Sequence, residues 1–153
     1  MKLEEILAID SIETNVEVKD KNELLRRMVD LAVATGKVID KDGAFKDILE
    51  REKLMSTGIG KGIALPHAKT NSVNDTVGAF VILKETVDFE SLDGERVKLA
   101  FMLLGREANV GLHLRILSKI SRILDDDGNR GEICGMVNGA EVIEFFRKSD
   151  ENE

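Results

Sequence analysis

The sequence predicts an α/β domain in which helices pack around a small mixed sheet, and three observations carry that prediction. Apolar residues recur at helical spacing before residue 55 and again after residue 110. Between them lie three short apolar runs, "GIALPHA" (62–68), "VGAFVILKE" (77–85) and "VKLAFMLLG" (97–105), with the length of strands buried on both faces. The segment between the last two, "VDFESLDGERV", alternates and then breaks at Asp93-Gly94, a hairpin signal that makes part of the sheet antiparallel.

The elements follow in order. Leu24, Leu25, Met28, Leu31 and Ala32 fall on one helical face after Asp20 and Asn22, which can cap. Phe45, Ile48, Leu49 and, more loosely, Leu54 do the same after Asp40 and Asp42. The strand runs come next. "LHLRILSKISRILDDDG" then places Leu112, Ile116, Ile120, Ile123, Leu117 and Leu124 on one stripe, ending at an acidic turn with Gly128. "AEVIEFFRKS" gives a last helix with Val142, Ile143 and Phe146 available to dock, followed by a polar tail.

At 153 residues, 42% hydrophobic and 33% charged, the chain has the composition of one ordered domain with a sizeable core. Residues 1–150 are expected to form it, with 151–153 as the tail. The net charge of −7 and the scattered basic residues disfavour nucleic acid and favour a basic protein partner. Cys134, the single cysteine, allows no internal disulfide and reads as an inert, partly buried thiol. No run approaches the roughly 20 apolar residues of a membrane span, so a cytoplasmic location is expected.

Several site chemistries fail on spacing. The third glycine of Gly58, Gly60, Gly62 comes one position early for a dinucleotide loop, and no Gly-Lys-Ser/Thr ends a P-loop. In "DDDGNRGEICGM" Arg130 and Met136 stand where a calcium loop needs Gly and Glu, so the segment reads as a turn. With two histidines, one cysteine and no H-E-x-x-H, no resident metal is expected.

What remains is histidine chemistry. The only proline, Pro66, fixes the backbone and removes a donor immediately before His67, which holds that imidazole at the rim of the sheet. A neutral imidazole nitrogen is nucleophilic near pH 7, so a held histidine can be base, ligand or covalent acceptor; it can equally be a hydrogen-bonded rim residue. Ser56, Thr57, Gly58 and Gly60 form a glycine-rich segment whose hydroxyls and N–H groups can surround a phosphoryl group. Arg51, near the end of the preceding helix, is either a phosphate contact or a solvated cation favoured by the helix dipole. His113 is either a buried histidine satisfied by backbone or a second imidazole that donates to a phosphoryl oxygen or tunes its neighbour.

The run "EKLMSTGIGKGIALPHA" resembles the active-site signature of the enzyme IIA domains of the fructose, mannitol and nitrogen-regulatory class in the bacterial phosphotransferase system. Glu52, Ile59, Gly60, Ile63, Ala64, Leu65, Pro66, His67 and Ala68 fill that signature without a gap. The similarity continues through "VDFESLDGERVKLAFMLL" to "HLRILSKISRIL". It implies the type-2 IIA fold, expected here with a five-stranded sheet, and a phosphotransferase component working through a phosphohistidine. By resemblance, His67 accepts a phosphoryl group from the histidine-containing phosphocarrier protein and passes it to a IIB cysteine. His113 is then its active-site neighbour, and Arg51 a residue that stabilises the transferred group. The phosphoryl originates from phosphoenolpyruvate and is carried covalently without a cofactor, and the protein meets the membrane only through the sugar permease. The alternative within the same resemblance is a nitrogen-regulatory IIA-like protein, whose phosphorylation state controls binding to regulatory partners.

Overall fold

The computed structural model describes residues 1–152. These form six α-helices, a short 3-10 turn and six strands. The helices are α1 (Leu3–Ile6), α2 (Lys21–Val33), α3 (Lys41–Leu54), α4 (Val110–Asp125), α5 (Asp127–Cys134) and α6 (Gly139–Glu151). The strands are β1 (Ile12–Val16), β2 (Gly58–Gly60), β3 (Ile63–Ala64), β4 (His67–Thr70), β5 (Val77–Val87) and β6 (Val97–Arg106).

The sheet runs β1-β5-β6-β3-β2, with β4 also pairing on β6. β5 and β6 are antiparallel, as the Asp93-Gly94 signal predicts, whereas β1 joins β5 in parallel and both β3 and β4 join β6 in parallel. The sheet thus has six strands where five were expected. The extra one arises because the run 62–70 is cut at Leu65-Pro66: Ala64 sits opposite Ala100 and His67 opposite Leu103. Pro66 has no N–H for the ladder, and the Leu65 N–H turns away to the Thr57 carbonyl at 2.9 Å.

Alternation along the strands builds two cores. Ala79, Val81, Leu83, Ala100, Met102 and Leu104 face α2 and α3, where Leu24, Leu25, Met28 and Ile48 are buried. Phe80, Ile82, Leu99, Phe101 and Leu103 face α4 and α6. On that side Phe80, Phe101 and Phe146 pack edge to face, with centroids 5.3 to 5.9 Å apart. Asp20 and Asp40 cap α2 and α3 by accepting from the Glu23 and Gly43 N–H groups. Lys119 of α4 reaches Asp150 of α6 at 2.7 Å, and Asp150 also accepts from the Leu3 N–H. Both ends of the chain are thereby tied to the helix that carries His113.

Two local readings are corrected. The acidic segment after α4 continues as α5 because Asp126 caps it through the Asn129 N–H and Ile133 is fully buried; a turn was expected. Cys134, at the end of α5, is exposed instead of partly buried. Its thiol nevertheless lies above its ordinary pKa, because its immediate surroundings are desolvated. Among the described residues no helix is long and apolar enough to cross a membrane.

Candidate functional site

Strand parity aims His67. Ile63, Leu65 and His67 alternate onto the side of the sheet covered by α4, and Ile63 and Leu65 belong to that side's core. His113, in the first turns of α4, comes down on the same side. The two imidazoles lie with centroids 5.7 Å apart and planes tilted by 53°. The sequence separates them by 46 positions; the packing of α4 on β6 and β4 unites them.

The backbone fixes the tautomer of His67. Its Nδ1 lies 2.8 Å from the Leu65 carbonyl oxygen, which can only accept, so Nδ1 carries the proton and Nε2 holds the lone pair. Partial burial lowers the His67 pKa from 6.5; the Leu65 bond opposes this, and the Arg51 charge adds to the lowering. Near neutral pH the ring is a neutral Nε2 nucleophile.

His113 is 4% exposed, and its pKa is lowered to about 4 by desolvation, with the nearby His67 and Lys69 adding to it. It is therefore neutral at physiological pH. Its Nδ1 is buried without a hydrogen-bond partner among the described residues. An unpaired buried N–H costs more than an unpaired lone pair, which places the proton on Nε2 and makes that nitrogen a donor.

A cavity of about 370 Å³ opens in front of His67, walled by Arg51, Met55 to Ile59, Leu65, Leu92 and the Leu117, Ser118 and Ser121 face of α4. Arg51, in the last turn of α3, is held there by its Nη1 donating to the Met55 carbonyl at 3.1 Å. That contact closes the helix end, and the Arg51 charge is near enough to the imidazole to lower the His67 pKa. Met55, Ile59 and Leu92, which wall the cavity, are exposed and make an apolar rim.

The loop hydroxyls have prior commitments. Ser56 Oγ donates to the Phe89 carbonyl at 2.8 Å and accepts from the Gly58 N–H. Thr57, 3% exposed, gives its hydroxyl to Glu52 Oε2 at 2.6 Å and its N–H to Glu52 Oε1 at 2.7 Å. These two side chains shape the loop from within. Gly58 and Gly60 let it lie close to the 91–93 turn: a Cβ on Gly58 would meet Ser91 Oγ at 2.1 Å, and Gly60 adopts a φ of +99°.

Glu52 is the residue whose role the sequence did not disclose. It is a buried carboxylate that takes Lys21 of α2 at 2.9 Å as well as both Thr57 donors, so it pins the cavity loop to two helices. The available signal was an acid in the last turn of a helix, where the dipole disfavours one, five residues before a threonine.

The family description "Phosphoenolpyruvate-dependent sugar phosphotransferase system, EIIA 2" matches residues 5–149. The chain is 37% identical over 150 residues, 98% of its length, to the fructose-specific EIIABC component of the phosphotransferase system of Bacillus subtilis, of which it spans 24%. It is 43% identical over 104 residues to the fructose-specific EIIA component of Haloferax volcanii, covering 68% of each chain. The crystal structure of nitrogen regulatory protein IIA-Ntr from Neisseria meningitidis superposes with a TM-score of 0.88 at 32% identity, over 94% of this chain and 98% of that one. A match along nearly the whole chain, built on the same fold, has one consequence: the chain belongs to the EIIA 2 family of the phosphoenolpyruvate-dependent sugar phosphotransferase system.

Proposed function

We propose that the protein is a phosphocarrier whose His67 Nε2 accepts a phosphoryl group from a phosphohistidine on the histidine-containing phosphocarrier protein and passes it to a cysteine of a IIB partner. The observation that carries this reading is the Nδ1 contact to the Leu65 carbonyl, which leaves Nε2 as the nucleophilic nitrogen of a ring that lines an open, apolar-rimmed cavity.

In the first step the Nε2 lone pair attacks phosphorus, the N–P bond of the donor breaks, and its electron pair returns to the donor imidazole. In the second, a cysteine thiolate attacks the same phosphorus and Nε2 recovers its pair. No proton need move at His67, because Nδ1 keeps its own throughout. Charge in such a transition state sits on the equatorial oxygens, so fixed donors matter more than a strong base. His113 Nε2–H and the Arg51 guanidinium supply them, while the glycine-rich loop, held by Ser56 and Thr57, walls the cavity. The phosphoryl group is the only group carried, and no cofactor enters the scheme. The exposed apolar rim suits brief encounters with two successive partners. Fructose-type sugar uptake is the branch supported by the names of the Bacillus and Haloferax relatives. The phosphoryl comes from phosphoenolpyruvate, which places the protein in the cytoplasm, beside the membrane only when a sugar permease is the acceptor.

A second reading is supported by the Neisseria structure: a nitrogen-regulatory protein whose phosphorylated and free forms dock differently on regulatory partners. Both readings run through phospho-His67. Incubation with phosphoenolpyruvate, enzyme I and the phosphocarrier, followed by intact-mass measurement, should show one acid-labile phosphate on the wild type and none on His67→Ala. An adduct of equal yield on His67→Ala would refute the site. Chase with a purified fructose-class IIB then separates the branches, since rapid discharge to its cysteine is expected only of the transport reading.

A further inference from the structure

Gly105 is a glycine in the middle of the sheet for which conformation gives no reason. It lies in β6, opposite Lys69 of β4, and its φ is not among the positive ones. Glycine in a strand interior forgoes side-chain packing and costs backbone entropy, and where φ does not demand it, the usual cause is the close approach of another group. Here the approaching group is His113. Leu99, Phe101, Leu103 and Gly105 alternate onto the α4 side of the sheet, and an ideal Cβ built on Gly105 would lie 2.5 Å from His113 Nδ1 and 3.4 Å from its Cε1 and Cγ. The imidazole lies against the bare Cα of Gly105, on the sheet's own surface.

We propose that Gly105 is a positioning residue for phosphoryl transfer: its missing side chain is the seat that brings His113 to within reach of His67 and leaves the His113 Nδ1 against a surface with no acceptor. The inference rests on the reading of His113 as the imidazole that assists transfer. A methyl group at 105 cannot share that space with the ring. The neighbouring atoms are the rigid imidazole of a helix and the sheet backbone, so relief must come from moving His113 out toward solvent. The ring then loses both its distance to His67 and its enforced tautomer, while His67, held by Leu65, keeps its own geometry.

The test compares wild type, Gly105→Ala, His113→Ala and the double variant, all with His67 intact. Single-turnover phosphorylation by the phosphocarrier is followed, together with NMR titration of the His113 ring. Loss of one preorganised donor in a site open to solvent should slow His113→Ala on the order of 10–100-fold. Gly105→Ala should slow by a similar factor, and the double variant no further. The His113 titration should move from about 4 up toward 6.5 in Gly105→Ala as the ring reaches water. Removing the imidazole vacates the space the methyl needs, so His113→Ala should also restore the stability lost in Gly105→Ala; a folded double variant keeps the test decisive if the single one folds poorly.

Additive slowing in the double variant, or an unmoved His113 titration in Gly105→Ala, would overturn the proposal. Wild-type transfer by His113→Ala would instead remove the reading of His113 on which it rests, leaving the titration arm to judge the seat alone.

Discussion

Lowering the pH from 7.5 to 4.5 should destabilise this protein through His113 in particular. The folded state holds that ring neutral down to about 4, whereas the unfolded chain protonates it near the ordinary value of 6.5. Between those values the unfolded state binds more protons, so stability falls as pH falls. Integrating the two titrations gives a loss of about 1.4 kcal/mol at pH 5.5 and about 2.5 kcal/mol at pH 4.5. At 4% exposure the ring has little solvent screening to reduce this, and its neighbours His67 and Lys69 both oppose its protonation. Other titrating groups contribute as well, so the assay is comparative: urea unfolding of wild type and His113→Gln at pH 7.5, 5.5 and 4.5. The gap between the two should change in favour of His113→Gln by about 2 kcal/mol or more over that range. Parallel stability curves would refute the claim that burial holds His113 neutral.

Two further changes probe the other side of the site. Arg51→Gln removes a positive charge that lowers the His67 pKa, so the acid limb of phosphoryl acceptance should move to higher pH, and a limb unmoved in the pH–rate profile would mean that the guanidinium does not act on the ring. Glu52→Ala takes the buried acceptor from two Thr57 donors and leaves the Lys21 ammonium only the longer contact to exposed Glu90 at 3.5 Å, in a pair whose side chains are 17% and 6% exposed; it should cost roughly 3 kcal/mol in urea unfolding, with a smaller loss for the paired change Lys21→Met with Glu52→Gln.

The sequence was most legible where a local rule acts alone. Asp20 and Asp40 announced α2 and α3 because an N-cap is satisfied within three residues, and both caps form. The strands β5 and β6 read clearly because burial on both faces leaves an almost unbroken apolar run. β1 was not legible: "IETNV" has one polar residue too many for a buried strand, and only the parallel edge of β5 makes it one. α5 was hidden in a segment rich in acids and glycines, held as a helix by the Asp126 cap and the burial of Ile133. The division of 62–70 into β3 and β4 could be suspected from Pro66, yet the detour of the Leu65 N–H to Thr57 depends on where the loop lies.

By itself the sequence singled out His67 as the candidate acceptor and set its immediate mounting, since the run from Glu52 to Ala68 is contiguous and Pro66 acts on its next neighbour. The tertiary structure alone decided which nitrogen of His67 is free, that Thr57 and Ser56 turn inward, that Glu52 ties the loop to α2, and that Gly105 lies beneath His113. Each of those depends on groups brought together by packing across the sheet, at distances in space that carry no trace in sequence spacing.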